Sequence, residues 1–533
     1  MRMTNKIMQN NSLYNINNNK ILQDKLSTMM STQKKITRPS DDPVIAIRAL
    51  RLRTNVTELT QFYEKNSPDA ESWLNVTEGA LDTTTKVLTE MIRLANKGAN
   101  KDLGTKDLDI IIGQMKSLRD EFYSTGNVDY AGRYVFTGYR TDTTLSFTEE
   151  IQEQQKDGYP IYKITEQNTI ADFDTVNHTN VGGLDGLNKD NYTDTKYDNI
   201  KEQDISNGNI HRLRLSYNGL KGESKQPPVN NDVEIKFADP AATETFTADT
   251  VSSASAPSPY DQILAANSAG TDKVIFVPET GELLFSDKAY ERMEKAVKDL
   301  GGTDTELQVT YTKDQWQKGD LRPEHYFACE STVKDEAGNP KTIKYNEEYL
   351  TGKGVKQSIE YDVGYNQKIQ VNTTADEVFT HGMDRDIDDL EKALAELAEI
   401  DATKIDLDKV LKGLDEGTQE YADVKKKYDA AEKAYNYIRE NVHDMLQRTI
   451  TKTQGYLDDT NVAVTDNGTR SQRLDLISNR LMDQKTTFQV LQSENEDIDI
   501  ADVMIKLTST ELTYNSALMA TGKIMQTSLM NFI

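Results

Sequence analysis

Cysteine is nearly absent from this chain of 533 residues, and Cys329 carries its one thiol. A single cysteine excludes an internal disulfide, and without other ligands around it a lone thiol gives no signal for a metal site. Stability must therefore come from packing, and a chain of this length is typical of roughly three or four folding units. Packing matters all the more if the protein works outside the cell, where disulfides usually form.

Long apolar runs are missing as well. No stretch approaches the ~20 apolar residues that a membrane-spanning helix needs, so we expect no membrane insertion. The first residues lead into a polar, asparagine-rich segment and not into the apolar core of a secretory signal. The sequence therefore predicts a cytoplasmic protein, or one exported without a cleaved signal peptide.

Basic residues are too few to balance the acidic ones. The chain has 62 lysines and arginines against 87 aspartates and glutamates, which gives a net charge of −25. Binding to nucleic acid or to an anionic membrane needs the opposite balance, so we expect neither as a partner. Aromatic residues make up 8% of the chain and are mostly tyrosine, which indicates folded domains despite the acidity.

The charge is unevenly spread between the two ends. Residues 1–60 carry ten basic and four acidic side chains, whereas residues 481–533 carry three basic and seven acidic ones. The two ends could attract each other, or both could be solvated faces of helices. On charge alone the second interpretation is favoured, because ion pairs at a surface contribute little.

Motifs for catalysis and metal binding are also lacking. The five histidines form no His-Glu-x-x-His arrangement, and neither a Gly-x-Ser-x-Gly motif nor a phosphate-binding glycine loop occurs. Asp384, Asp386, Asp388 and Asp389 lack the central glycine and the closing glutamate of a calcium loop, and such a run is more typical of a helix start. We expect no catalytic, cofactor-binding or metal-binding residues, and no enzyme.

The two ends of the chain have helical periodicity, and the middle has strand periodicity. Apolar residues recur at spacings of three, four and seven in both ends, which is typical of helices packed on helices. Between about residues 145 and 380 the period changes to two, and two apolar runs at 274–277 and 283–285 flank a turn, which predicts a hairpin. We therefore predict an α+β multidomain protein with terminal helices in coiled-coil-like bundles and an inserted β-rich central domain.

A proline-containing turn interrupts the first helical block. Two prolines break the helix, and Asp42 is placed to cap a new helix with Pro43 in its first turn. The predicted inter-domain turn consists of Arg38, Pro39, Ser40, Asp41, Asp42 and Pro43.

The terminal helices each present a thin apolar stripe on a polar surface. An isolated helix of this kind does not offset its ordering entropy in water, so it needs a partner. The chain also ends on an apolar run, whereas termini are usually polar. These features favour assembly with other copies over packing on the chain's own core. The predicted assembly interface consists of Leu22, Leu26, Met29, Ile36, Ile500, Val503, Leu507, Tyr514, Leu518, Met525, Leu529 and Phe532.

Four segments resemble signatures of the flagellin-like family of bacterial flagellar proteins. Residues 35–43 read Lys-Ile-Thr-Arg-Pro-Ser-Asp-Asp-Pro and are similar to its N-terminal signature. Residues 133–138 read Arg-Tyr-Val-Phe-Thr-Gly and resemble the segment that closes its N-terminal helical domain. Residues 493–501 and 526–533 look like its C-terminal signature, and the form of the first segment is typical of members at the hook–filament junction.

This resemblance implies a domain plan. Residues 1–40 and 500–533 would form terminal helices of an inner assembly tube, and residues 41–145 and 381–499 a helical rod domain. Residues 146–380 would form an inserted β-rich outer domain, or two such domains.

The resemblance also implies a function and partners. We expect a structural subunit of the bacterial flagellum at the hook–filament junction, which polymerises through its terminal helices. Implied partners are further copies in a homo-oligomeric ring, the first hook-associated protein, flagellin, the filament cap transiently, and a flagellar export chaperone. The expected location is extracellular, in the flagellum, after export without a cleaved signal peptide.

Two alternatives remain open. A flagellin-type filament subunit would share the logic of the terminal helices, although residues 38–43 and 528–533 are unlike typical flagellin. A surface adhesin on a helical stalk, with the central domain as its active part, is weaker because that domain carries no recognisable motif.

Overall fold

The fold is taken from a computed structural model, which describes residues 5–149, 161–222, 232–239, 242, 244–302, 306–334, 340–351 and 357–530. Helices occupy both ends of this part of the chain, and two short ones lie in its middle. The helices are α1 Asn5–Thr32, α2 Pro43–Gln61, α3 Ser67–Gly98, α4 Thr105–Thr125, α5 Pro259–Ala269, α6 Asp287–Asp299, α7 Gly382–Gly413, α8 Gln419–Glu496 and α9 Ile500–Met530.

Strands lie between the helical ends. They are β1 Asp129–Tyr130, β2 Arg133–Tyr134, β3 Ile161–Asn168, β4 Phe173–Asn180, β5 Ser206–Arg214, β6 Val233–Phe237, β7 Asp249–Thr250, β8 Val274–Val277, β9 Glu282–Phe285, β10 Leu307–Lys313, β11 Ala328–Lys334, β12 Pro340–Tyr345, β13 Glu360–Gly364 and β14 Gln367–Gln370. The predicted α+β class, with long helices at the two ends and a β-rich middle, is confirmed.

Helix α8 is longer than the periodicity predicted. The apolar pattern indicated two separate helices, one around residues 421–445 and one around 474–491, but a single helix of 78 residues covers both. Its buried face continues between them through small polar side chains, which an apolar template does not detect. The buried polar residues of this stretch are Thr449, Thr453, Thr460 and Asn467.

The chain divides into two compact units. The first comprises residues 1–71, 360–369 and 471–533, and the second comprises residues 72–359 and 370–470. The bounds of these two units differ from those of the three domains that the resemblance implies. The three-domain boundaries therefore stay a prediction.

Two five-stranded sheets dominate the second unit. Their strand orders are β12-β11-β3-β10-β6 and β4-β5-β9-β8-β7. One apolar core contains side chains from both sheets, such as Ile164 and Val309 from the first and Leu213 and Phe285 from the second. The strands of this β-rich region therefore bury their apolar faces within the chain itself.

The predicted hairpin at 274–285 is confirmed, with β8 and β9 antiparallel and Val277 opposite Glu282. Its turn contains Gly281, whose φ of 61° lies in the left-handed region. A Cβ atom at Gly281 would lie 1.9 Å from the carbonyl oxygen of Tyr217, so no other residue fits there without a shift of the backbone.

Candidate assembly interface of the terminal helices

Helices α1 and α9 pack against each other in the first unit. They run antiparallel, because Lys34 beyond the end of α1 pairs with Asp497 before α9, whereas Gln23 within α1 donates from Nε2 to Oε1 of Glu511 at 3.3 Å. Leu26 and Val503 are buried in the unit that contains this pair. A pair of thin apolar stripes thus covers itself in part, as a two-stranded coil does.

The structure divides the predicted interface residues into three groups. Leu26 and Val503 are buried within the chain, and Met29, Ile36, Leu507 and Tyr514 are half-buried. Leu22, Ile500 and Leu518 are exposed, with 44–50% of each side chain's surface accessible. The side chains of Met525, Leu529 and Phe532 lie outside the described residues. Much of the predicted set therefore packs within the chain, and its role in assembly stays a prediction.

A second apolar stripe faces solvent on the same two helices. Its members recur at intervals of seven residues in each helix, and between 49% and 69% of each residue's surface is accessible. This outer stripe consists of Ile7, Tyr14 and Ile21 on α1, and of Ile505, Leu512 and Met519 on α9. A group of exposed apolar side chains of this size is a candidate surface for a partner.

Sequence reasoning missed the outer stripe, although its signal is in the sequence. Each helix carries two apolar repeats of seven residues in different registers, and we followed only one of them. Helix α2 adds Val44, Ile47 and Leu50, which are also exposed and were not predicted.

A short antiparallel bridge closes the base of the α1–α9 pair. The backbone N–H of Lys35 donates to the carbonyl oxygen of Glu496 at 2.7 Å, and that of Ile498 donates to Gln33 at 3.2 Å. Gln33 has a φ of 56°, which places it in the left-handed region at the end of α1. The chain thus leaves α1 and enters α9 side by side.

Glu496 is the electrostatic centre of this base. Its carboxylate accepts two hydrogen bonds from Arg53, from Nε at 2.7 Å and from Nη2 at 2.5 Å, and it lies 3.5 Å from the Lys34 ammonium. Only 2% of the Glu496 side chain is exposed. The hydrogen bonds from Arg53 hold the pKa of Glu496 below its ordinary value.

Asp497 forms the second ion pair of the base. Lys34 donates to its Oδ1 at 2.5 Å, and this bond holds the pKa of Asp497 below its ordinary value. The basic and acidic ends of the chain therefore do meet at Lys34, Arg53, Glu496 and Asp497. The interpretation of both ends as merely solvated faces is wrong at these positions, because burial of Glu496 and two-point contact with Arg53 give the pairing a fixed geometry.

The turn after α1 has the predicted construction. Asp42 caps α2, because its Oδ1 accepts from the backbone N–H groups of Val44 at 2.9 Å and Ile45 at 3.1 Å, and Pro43 is the first helical residue. Asp41 accepts from the backbone N–H of Arg38 at 2.9 Å, which lowers the pKa of its carboxyl group. Arg38, Pro39 and Ser40 are exposed around these contacts. An inter-domain role for this turn stays a prediction.

A hairpin docks on a helical irregularity in the same unit. Five residues, Phe62–Asn66, form a π-helical turn between α2 and α3. The β13–β14 hairpin meets it through Tyr365, whose ring lies edge-on to Phe62 at 5.7 Å and whose hydroxyl donates to Glu58 at 2.6 Å. Burial and this bond raise the pKa of Tyr365 to about 12. Asn66 also donates to the carbonyl oxygen of Asp362 at 2.6 Å.

The four aspartates that were considered as calcium ligands each form an ion pair with an arginine. Asp386 lies 2.7 Å from Arg214, and Asp389 lies 2.8 Å from Arg212. Although burial opposes it, Arg212 and Arg214 hold the pKa of Asp389 below its ordinary value. Asp384 and Asp388 pair with Arg119 and Arg385. Within the described residues, no group of three or more histidines, cysteines and carboxylates is placed to hold a metal ion.

The described helices were also tested for a membrane span. In this part of the chain, no helix combines the length and the apolar character that crossing a bilayer requires. The first unit thus presents an apolar outer stripe and a charged base.

Comparison with known proteins finds similarity in the N-terminal part. Residues 3–141 match the family described as the bacterial flagellin N-terminal helical region. This part of the chain is therefore similar to the helical region of flagellins. Flagellar hook-associated protein 3 of Salmonella typhimurium is 30% identical over 144 residues, which are 27% of this chain and 45% of that protein. The resemblance inferred from the four sequence motifs is thereby confirmed.

Two further similarities are of interest. A flagellin of Clostridium tyrobutyricum is 26% identical over 204 residues, which are 37% of this chain and 53% of that protein. The solved structure of the flagellar junction protein FlgL from Legionella pneumophila aligns with 81% of this chain and 99% of its own, at 10% identity and a TM-score of 0.25. The chain spans about half the length of the curated relatives that it matches. These relatives are named as flagellar components and not as enzymes.

Proposed function

We propose that this chain is a structural subunit of the bacterial flagellum at the hook–filament junction, and that it polymerises through its terminal helices. One observation carries the proposal: residues 3–141, which match the bacterial flagellin N-terminal helical region, include α1, and α1 bears half of the outer stripe. The similarity and the exposed apolar surface thus fall on the same part of the molecule.

The outer stripe supplies the driving force in this proposal. A fully buried side chain of this size contributes about 1.5–3 kcal/mol, and association must first offset the entropy of ordering the helices. Six such side chains on each copy, repeated around a ring, are enough for a cooperative interface. The Arg53–Glu496 and Lys34–Asp497 pairs would hold α1 and α9 in one register, so that the stripes of neighbouring copies match.

The proposed partners follow from the same position. Copies of the chain would form a homo-oligomeric ring, with the first hook-associated protein on one side and flagellin on the other. The filament cap would contact it transiently, and an export chaperone would hold α9 before assembly. The proposed location is the extracellular flagellum. This support comes from similarity alone.

Electron microscopy of a deletion strain tests the proposal. We expect intact hooks without filaments, and flagellin secreted as monomer into the medium. A strain that carries the chain without residues 500–533 should show the same defect, because half of the outer stripe is lost. Normal filaments in either strain would contradict the proposal.

A flagellin-type filament subunit is the second candidate, because the match to a flagellin covers a larger share of this chain than the match to the hook-associated protein. Immunogold labelling with an antibody to the β-rich unit separates the two. Label confined to the base of the filament supports the junction subunit, and label along the whole filament supports the filament subunit.

A further inference from the structure

A buried lysine lies inside the β-rich unit, away from the terminal helices. Lys313 is the last residue of β10, and 2% of its side chain is exposed. Its ammonium nitrogen lies 5.2 Å from the centre of the Trp316 ring and 5.8 Å from that of Tyr217. Nζ donates to the carbonyl oxygen of Asn218 at 2.5 Å, which fixes the direction of the side chain. The hydrogen bond to Asn218 thus fixes the position of the nitrogen over the rings of Trp316 and Tyr217.

Asp320 presents its carboxyl group to this nitrogen. Its Oδ2 lies 3.5 Å from Nζ of Lys313, and 12% of its side chain is exposed. The same oxygen accepts from the backbone N–H of Gln317 at 3.0 Å. The backbone of Asp320 is also bound, since its carbonyl oxygen accepts from Phe147 at 2.8 Å. Nζ of Lys313 and Oδ2 of Asp320 are therefore held 3.5 Å apart, each with a further hydrogen bond that fixes its position.

A third carboxyl group, that of Asp384, interacts electrostatically with Lys313 and with Asp320. Burial raises the pKa of Asp384 to about 6, with further contributions from Asp388 and Asp320. Burial likewise lowers the pKa of the Lys313 ammonium. Burial thus disfavours the charged forms of both the Asp384 carboxyl group and the Lys313 ammonium.

We propose that Lys313 and Asp320 condense to an intramolecular isopeptide bond. Nζ of Lys313 attacks Cγ of Asp320, and a C–N bond forms. The C–O bond to one carboxyl oxygen breaks, and this oxygen leaves as water with two of the three ammonium protons. The ion pair and the products, an amide and water, are both neutral overall, so no other reactant is needed.

The surroundings favour condensation over a lasting ion pair. Separating a buried ammonium from water costs free energy, and a neutral amide removes both charges at once. The aromatic side chains of Trp316 and Tyr217 limit the access of water that would reverse the reaction. The bond would close the loop after β10 with a covalent link, in a chain whose one cysteine is free and buried.

Mass spectrometry of the full chain, purified in its folded state, tests the proposal. We expect an intact mass lower than the sequence mass by one water molecule. Trypsin should fail to cut after Lys313, and the fragment should contain Lys313 joined to Asp320. An intact mass equal to the sequence mass, with free cleavage after Lys313, would overturn the proposal. A water loss with free cleavage after Lys313 would also overturn it, because it would reflect cyclisation of an aspartate.

Two variants and one control locate the reaction. Lys313→Arg keeps the cation and should abolish the water loss, as should Asp320→Ala. The matched control is Lys221→Arg, because Lys221 lies 3.1 Å from Asp314 but 53% of its side chain is exposed. This control should keep the linked mass. The result for the unchanged chain decides the proposal even if a variant fails to fold.

Discussion

The unit of the terminal helices and the β-rich unit place their large apolar side chains differently. Among the described residues, 26 large apolar side chains are exposed, and 20 of them belong to the smaller unit, residues 1–71, 360–369 and 471–533. In the β-rich unit the aromatic and aliphatic side chains of two sheets share one buried core. The first unit thus leaves apolar surface exposed, as the proposed assembly through the terminal helices requires, whereas the second buries most of its apolar side chains within itself.

The contrast between the two units is tested most strongly by placing negative charges in the outer stripe. Replacing Ile505 and Leu512 together by aspartate should lower the incorporation of the subunit at the hook at least a hundredfold. Each buried side chain of this kind is worth about 1.5–3 kcal/mol, and each ~1.4 kcal/mol is a factor of ten in association. Immunoblotting of purified hooks measures incorporation, and circular dichroism checks that the helix content is kept.

The control for this change lies in the β-rich unit. Ile161 and Ile343 are exposed there, and the double aspartate variant should still be incorporated. Equal loss in both variants would show that any exposed apolar residue matters, and the contrast between the units would be wrong.

A truncation in the β-rich core has the next largest effect. Phe285 is fully buried and lies edge-on to Phe173 at 5.1 Å. Phe285→Ala should lower the free energy of unfolding of this unit by about 3–5 kcal/mol, because a cavity remains. Both tryptophans, Trp73 and Trp316, are buried in this unit, so their fluorescence during urea unfolding measures the loss.

A surface truncation on the same unit gives the matched control. Ile343→Ala on β12 should change the unfolding free energy by less than about 0.5 kcal/mol. If the Phe285→Ala variant instead unfolded at the same urea concentration as the unchanged chain, the stability of the β-rich unit would depend on the helices. The contrast between the two units would then be wrong.

Breaking the charged base of the α1–α9 pair should cost less. Glu496→Gln removes the negative charge that Arg53 and Lys34 share, and hydrogen bonds to charged groups contribute about 1.5–3 kcal/mol. The exposed half of Arg53 reduces this figure, so we expect a loss near its lower end. Thermal unfolding followed by circular dichroism measures it. Asp41→Asn, in the exposed turn nearby, should change the melting temperature less, and a reversed order would contradict the assignment of Glu496 as the centre.

Features that depend on a few adjacent residues were predicted well from the sequence. The surfaces that cover each apolar helix face were predicted poorly. The Asp42 cap and the hairpin at 274–285 depend on a few adjacent residues, so their signal is local. A seven-residue repeat shows that a helix has an apolar face but not which chain covers it. For this reason the sequence did not show that Leu26 and Val503 pack within the chain, and the exposed Ile505 was missed. The continuity of α8 was not predicted, because threonine and asparagine residues occupy the middle of its buried face where the pattern search expects apolar ones.

The smallest predicted effect is on the pH dependence of the base. The folded pKa values of Glu496 and Asp497 lie below their ordinary values of 4.5 and 3.8, because Arg53 and Lys34 stabilise the ionised forms. Their contribution is therefore complete above the ordinary values and is lost as the pH falls through the lowered folded values. The melting temperature of the unchanged chain should fall in this acidic range more steeply than that of Glu496→Gln, which has one of the two groups left. Parallel acid profiles of the two proteins would show that Glu496 carries no proton-linked stability, and this result would contradict its place as the electrostatic centre of the base.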